Sequence, residues 1–218
     1  MWLDVFVPAF ATLLVIIDPP GCAPIFAGLT HNASPRHRKV MAVRSVLVAA
    51  GILLLFAIAG EPFLAALGIS LDAFRIAGGL LLFAIAIDMV FERRSERREE
   101  RAEQVAREAQ AHHHRLEEED VSVFPMGMPM IAGPGSIASV MLLTSKHAGT
   151  WMGLSAVMAA LGAVLLITLL ALLAAGPLMR RMGKTMTTVV TRLLGVVLCA
   201  LATQFVIDGV RNVFGLTA

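Results

Sequence analysis

The sequence predicts an all-α, polytopic membrane protein: six transmembrane helices in two inverted three-helix repeats, with helices 1 and 4 broken at Pro-Gly motifs. Three observations predict it. The chain carries several apolar runs of bilayer-spanning length, its Lys and Arg residues fall on alternate loops, and its Pro, Gly and Arg punctuators recur in order across two halves.

The apolar runs set the class. With 57% hydrophobic residues and a mean hydropathy of +0.78, the chain holds runs near 5–29, 40–59, 73–91, 121–144, 151–175 and 188–210. A run of about 20 apolar residues is what a helix needs to cross the hydrocarbon core, and a soluble domain would not carry several. The start, Met1-Trp2-Leu3-Asp4, lacks a basic segment, and no small-residue cleavage site closes the first run. It therefore reads as a retained first helix. Cys22 and Cys199 lie inside apolar runs and behave as small hydrophobes, not as a disulfide framework.

Charge sets the orientation. Arg36, Arg38, Lys39 and Arg44 lie in or beside the first loop, seven arginines from Arg93 to Arg115 in the central one, and Arg180, Arg181 and Lys184 in the fifth. The opposite side has only Arg75, Lys146 and Arg211. The positive-inside rule places loops one, three and five in the cytoplasm and both termini outside. Because the basic residues sit between spans, the net charge of +2 does not point to nucleic acid.

The organisation that follows is a first repeat over 1–91, a charged cytoplasmic linker over 92–120, and an inverted second repeat over 121–218. Glu and Arg alternate at helical spacing in the linker, as at Glu103 and Arg107. His112-His113-His114 do not share a helix face, so a solvated charge run fits better than a metal site. Pro20-Gly21 recurs as Pro134-Gly135, an offset of 114; Pro62 and Gly68 recur as Pro177 and Gly183, an offset of 115; Arg75 and Gly78 recur as Arg192 and Gly195, an offset of 117. Three spans per half force the second half to insert upside down, a plan characteristic of secondary transporters.

The breaks carry the chemistry. Proline lacks an N–H and clashes with the preceding turn. In a bilayer, the backbone groups it frees must be satisfied by protein, ion or ligand. Two such breaks in corresponding halves are the sequence pointer to a transporter's substrate site. Candidate binding residues are Asp18, Pro19, Pro20, Gly21 and Cys22 at the first break and Gly133, Pro134, Gly135, Ser136 and Ile137 at the second. Asp18 is an N-cap ahead of Pro at N1. It is equally a carboxylate at membrane depth able to receive an ammonium group or a coupling cation. The N–H groups of Gly135, Ser136 and Ile137 would be unpaired at a new helix start, an anion site suited to a substrate carboxylate. The competing reading is a proline kink with close packing of small residues. Cys22, Ala23, Ala132, Ser136, Ala138 and Ser139 give the breaks a small, neutral lining that fits a small zwitterion.

Supporting positions are Arg75, Arg192 and Gln204. The arginines either snorkel to opposite interfaces or clamp the repeat interface, and Gln204 is placed to hydrogen-bond a broken helix. Asp88 and Asp208 read as solvated anchors near span ends, and Met126, Met128 and Met130 as packing residues. No metal site and no cofactor is expected, and Na⁺ or H⁺ would be the coupling ion.

These residues together resemble the MarC family of bacterial inner-membrane proteins. The matching blocks are Asp18-Pro19-Pro20-Gly21 with Pro24-Ile25-Phe26, Gly68-Ile69-Ser70 with Phe74-Arg75-Ile76-Ala77-Gly78-Gly79, and Phe124-Pro125 with Pro129. They continue through Ile131-Ala132-Gly133-Pro134-Gly135-Ser136-Ile137 and Thr191-Arg192-Leu193-Leu194-Gly195 with Gln204-Phe205. Cys22 departs from the pattern, which commonly has Asn after the Gly. The resemblance implies a six-helix fold allied to the LysE-type exporter superfamily and transport of small neutral amino acids. Two other classes stand beside it. A scaffold recruiting a partner through the charged linker would explain 92–120 but not the breaks. An intramembrane enzyme lacks any Gly-x-Ser-x-Gly or His-Glu-x-x-His pattern.

Overall fold

In the computed structural model, residues 2–30, 33–91 and 121–215 are described, with side chains except at Phe124, Pro129 and 176–187. The linker over 92–120 with its three histidines, the terminal residues Met1 and Ala218, and His31 lie outside the described residues. The elements are α1 (Trp2–Ile17), α2 (Pro19–Leu29), α3 (Pro35–Ala66), α4 (Leu71–Val90), α5 (Ser122–Ile131, wound as a π-helix), α6 (Pro134–Lys146), α7 (Trp151–Leu173) and α8 (Ala175–Phe214). The described residues are all-helical, with no strand.

Five stretches are long and apolar enough to cross a membrane: Trp2–Leu29, Pro35–Ala66, Leu71–Val90, Trp151–Leu173 and Thr188–Phe214. The sixth expected span, over 121–144, is instead two short helices, α5 of 10 residues and α6 of 13. At about 1.5 Å per residue neither reaches across a 30 Å core alone. Helix bounds also differ from the apolar runs. α3 continues through Pro62 to Ala66, because a proline bends a long helix without ending it where neighbouring packing holds both sides.

The N-terminal caps follow local chemistry. Ser34 accepts the His37 N–H at 3.3 Å ahead of Pro35, and Ser70 accepts the Ala73 N–H at 3.2 Å. Each satisfies one of the donors a helix start leaves over. Arg38 adds a cap that the sequence pattern did not reveal: its Nη2 donates to the Thr30 carbonyl at 2.9 Å. That places a cation at the negative end of α2.

Packing is dominated by α4 against α8. A Cβ built at Gly79 would lie 2.9 Å from the Ala202 carbonyl oxygen and 3.0 Å from the Val206 nitrogen. One at Gly195 would lie 3.1 Å from the Val90 nitrogen, and one at Gly209 would lie 3.2 Å from the Asp72 oxygen. The early part of α4 thus meets the late part of α8 and the reverse, so the two run antiparallel with their backbones close. Small residues permit that approach. α5 and α6 lie in sequence along α3, with Gly127 against Val48 and Gly60 against Met141. The start of α1 is tied to the start of α7, where the Trp2 indole N–H donates to Ser155 Oγ at 3.3 Å. Trp2, Phe6 and Phe10 stack in a row there, as aromatic side chains do near an interface.

The larger core gathers Leu13, Ile17, Cys22, Phe26, Met41, Met126 and Val164 among others. Met126 and Met130 pack inside as expected, whereas Met128 is exposed. Leu47, Ile58, Leu80, Leu166 and Leu193 are exposed along the long helices. That outer surface is what a bilayer solvates.

Candidate functional site

The site is built from the two helix interruptions. Pro19 and Pro20 bring no N–H to the helical ladder, so α1 stops at Ile17. Asp18 takes the left-handed conformation, φ 56° and ψ 64°, which Asp tolerates better than most residues. It is the only residue other than glycine with positive φ among those described. Its backbone still joins both helices, donating to the Leu14 carbonyl at 3.0 Å and accepting from the Cys22 N–H at 3.0 Å. Its Oδ1 accepts the Gly21 N–H at 3.1 Å.

Gly21 is there for space. A Cβ at position 21 would fall on the Asp18 carboxylate. Cys22 completes the turn, its thiol lying 3.4 Å from the Ile17 carbonyl it donates to. That carbonyl would otherwise receive the Gly21 N–H, which the carboxylate has taken. Asp18 is 1% exposed and is the only buried charged side chain among the described residues.

The second interruption differs in winding. α5 carries π-type bonds, with the Met126 N–H reaching Val121 at 3.3 Å and the Ala132 N–H reaching Gly127 at 3.0 Å. Such winding is rare and frequent at functional sites. Pro125 and Pro129 each remove a donor from this segment, and that spacing is the one sequence signal for it. Gly133 is extended, φ −80° and ψ 171°, and Pro134 starts α6 at N1. No side chain caps this start. The expected trio of donors is corrected to two, because the Ile137 N–H closes on the Gly133 carbonyl at 3.0 Å. Gly135 and Ser136 supply the remaining N–H groups of the first turn.

The interruptions lie side by side. A Cβ at Gly135 would sit 3.5 Å from Ile16, two residues before Asp18, as well as 3.4 Å from Leu82 and 2.7 Å from Ile85. Gly133, Gly135, Ser136 and Cys22 are all buried, Pro20 and Ile137 partly so, and Pro134 is exposed.

The supporting residues do not join them. Arg75 pairs with Asp72 on its own helix at 3.2 Å. Asp72 in turn accepts from Asn212 at 3.0 Å, so one end of the α4–α8 seam carries a polar tie between the halves. Arg192 is exposed, three residues before Gly195 at the opposite end of the seam. Gln204 is exposed and donates to Asp208 one turn on at 2.7 Å, away from both breaks. Among the described residues no cluster of three or more His, Cys, Asp or Glu side chains is arranged to hold a metal ion. Sequence patterning gave no special weight to Ser139, a fully buried serine on α6 whose hydroxyl has no hydrogen-bond partner.

Comparison with known proteins adds the lineage. The chain is 35% identical over 215 residues to a UPF0056 membrane protein of Methanocaldococcus jannaschii, covering 97% of this chain and 98% of that one. It is 31% identical over 214 residues to the UPF0056 membrane protein YvbG of Bacillus subtilis, covering 98% of each. It is 30% identical over 211 residues to the UPF0056 inner membrane protein YhgN of Escherichia coli, covering 96% of this chain and 98% of the relative. No solved structure matches it significantly. Residues 3–214 match the family model described as MarC family integral membrane protein. With that match spanning nearly the whole sequence, the chain belongs to the MarC family of integral membrane proteins.

Proposed function

We propose that the protein is a secondary transporter of small neutral amino acids, of the glycine, alanine and serine type, working by alternating access about its two helix breaks. One observation carries the reading: a buried carboxylate in a left-handed break, Asp18, lies two residues from Ile16, which packs beside the uncapped start of α6. A zwitterion presents one group for each. Its ammonium suits the Asp18 carboxylate, and its carboxylate suits the Gly135 and Ser136 N–H groups at a positive helix end. The lining side chains of Cys22, Ala132 and Ser136 are small, which favours a small substrate. The same Asp18 is the natural seat for a coupling Na⁺ or H⁺.

An inverted repeat supports the alternating-access part. Exchanging α1 with α5, α2 with α6, α3 with α7 and α4 with α8 turns the α1–α7 packing into α5–α3. It likewise turns α2–α8 into α6–α4 and α3–α6 into α7–α2, and every one of these pairs is in contact. The α4–α8 pair maps onto itself and is antiparallel, as a two-fold axis in the membrane plane requires. α5 and α6 then form one broken crossing beside α3, the sixth span. On this reading the first, third and fifth loops face the cytoplasm, both termini face outward, and the protein resides in a bacterial inner membrane like the E. coli relative.

The test is uptake of labelled glycine, alanine and serine by proteoliposomes, with and without Na⁺ or pH gradients. Asp18→Asn keeps the cap, since Asn and Asp cap alike, but removes the charge. It should insert normally and lose coupling or affinity. Gly135→Val should lose binding through crowding by Ile85. If both variants transport like the parent, the breaks are structural kinks and the reading is wrong.

A further inference from the structure

We infer that the Ser139 hydroxyl is a substrate-binding group, the third donor to the carboxylate of the bound amino acid at the start of α6. This rests on the transporter reading and adds a residue to its site. Ser139 is 0% exposed and its Oγ has no hydrogen-bond partner.

Other buried hydroxyls of this protein behave differently. Thr30 donates to the Phe26 carbonyl at 2.6 Å, Ser45 to Met41 at 2.8 Å, Thr144 to Val140 at 2.9 Å and Thr168 to Val164 at 2.8 Å. Each turns back onto the carbonyl one turn earlier, the usual way a helix absorbs a hydroxyl. Ser139 makes no such bond to Gly135, although that carbonyl stands in the same relation to it. A buried polar group left unpaired is costly, and a ligand oxygen would remove that cost.

Position gives the hydroxyl its ligand. Side chains on a helix lean toward its N-terminus and cover the preceding turn. For Ser139 that turn is Gly135 and Ser136, whose N–H groups point out of the uncapped helix end. A carboxylate offers two oxygens with about four lone-pair sites. Two backbone donors and one hydroxyl therefore engage it while leaving room for water or a further group. All three donors are neutral, which suits a carboxylate whose charge is balanced by its own ammonium. A phosphate or dicarboxylate would bring excess negative charge with no described Lys or Arg at either break to meet it. Thr191 also has a buried hydroxyl without a partner, but it lies on α8 four residues before Gly195, at the end of the α4–α8 seam.

The experiment is equilibrium binding of labelled glycine and alanine to the full chain in proteoliposomes, alongside uptake. Ser139→Ala should weaken both by about tenfold, the size expected for one hydrogen bond to a charged group, with an unfolding midpoint like the parent's. Ser139→Cys, which keeps a weak donor, should fall between. Ser145→Ala, on the same helix but with its hydroxyl already on the Leu142 carbonyl at 3.0 Å, should bind like the parent. Parental affinity in Ser139→Ala, or equal losses in the Ala and Cys variants, overturns the assignment while parental uptake keeps the transporter reading. A parent that takes up none of glycine, alanine or serine overturns both.

Discussion

Replacing Gly21 by Ala isolates what the first break needs from its glycine. Gly21 has ordinary helical φ, so Ala brings no backbone strain and should gain about 1 kcal/mol in helix propensity. Against this, its Cβ would occupy the space of the Asp18 carboxylate and push that group off the Gly21 N–H. Losing a hydrogen bond to a charged, buried group costs about 1.5–3 kcal/mol. The net effect is a destabilisation of about 0.5–2 kcal/mol by difference. Gly28 supplies the comparison within the same helix: a Cβ there meets nothing within 4 Å, so Gly28→Ala should be neutral or stabilising.

The gap between the two variants is then about 1.5–3 kcal/mol, or about 3–12 °C in unfolding midpoint for a chain of this size. Thermal unfolding of the purified variants in one detergent measures it, and glycine uptake reads whether the displaced carboxylate still serves the site. If Gly21→Ala is as stable as Gly28→Ala and transports like the parent, the Asp18 turn is not organised by its carboxylate.

Gly79→Leu should separate α4 from α8, because its Cβ would press on the Ala202 carbonyl and the Val206 nitrogen, backbone atoms that cannot rotate away. Overpacking of this kind costs about 1–3 kcal/mol, whereas Gly51→Leu, with nothing within 4 Å, should leave the midpoint unchanged; equal midpoints would refute the close seam. His147, in the loop after α6, has its pKa lowered from 6.5 by burial and then by Lys146. The unfolded chain therefore binds more protons just below pH 6.5, so stability should fall as pH drops through that value toward the lower folded pKa. His147→Gln should flatten this part of the midpoint-versus-pH curve, and an unchanged slope would clear His147 of any part in it. In a Cys199→Ala background, a disulfide between Asp72→Cys and Asn212→Cys should leave uptake intact, whereas one between Trp2→Cys and Ser155→Cys should stop it; the opposite pattern would place the moving contact at the α4–α8 seam.

What the sequence revealed, and what it hid, divides along local and non-local chemistry. The Asp18 break was legible because two prolines remove two donors wherever they stand, and the apolar runs were legible because bilayer thickness fixes their length. The π winding of Ser122–Ile131 was not, since Pro125 and Pro129 announce lost donors without saying how the backbone recovers them. Pro62 looked like a terminus but sits inside α3, held by packing that no local rule supplies. Asp72 and Asn212 are 140 residues apart in the chain, so their tie belongs to the folded pair of helices alone. Gln204 read as a deep polar residue because hydropathy records depth but not which way a helix face turns.

The seam and the breaks have opposite construction, and that contrast bears on mechanism. Along α4 and α8, glycines bring backbone against backbone at three levels, and Asp72 fastens one end. Motion there would have to break many short-range contacts at once, since close-packed surfaces switch between discrete arrangements and do not deform continuously. At the breaks, α1 meets α2 through one left-handed residue, and α5 meets α6 through an extended glycine. Few dihedrals need change for either half-helix to tilt. A frame that holds while two hinged pairs rock about it is the economical division of labour for alternating access. It also explains why the substrate's two charged groups should meet residues from both hinges, because a ligand that contacts only one could not couple their movement.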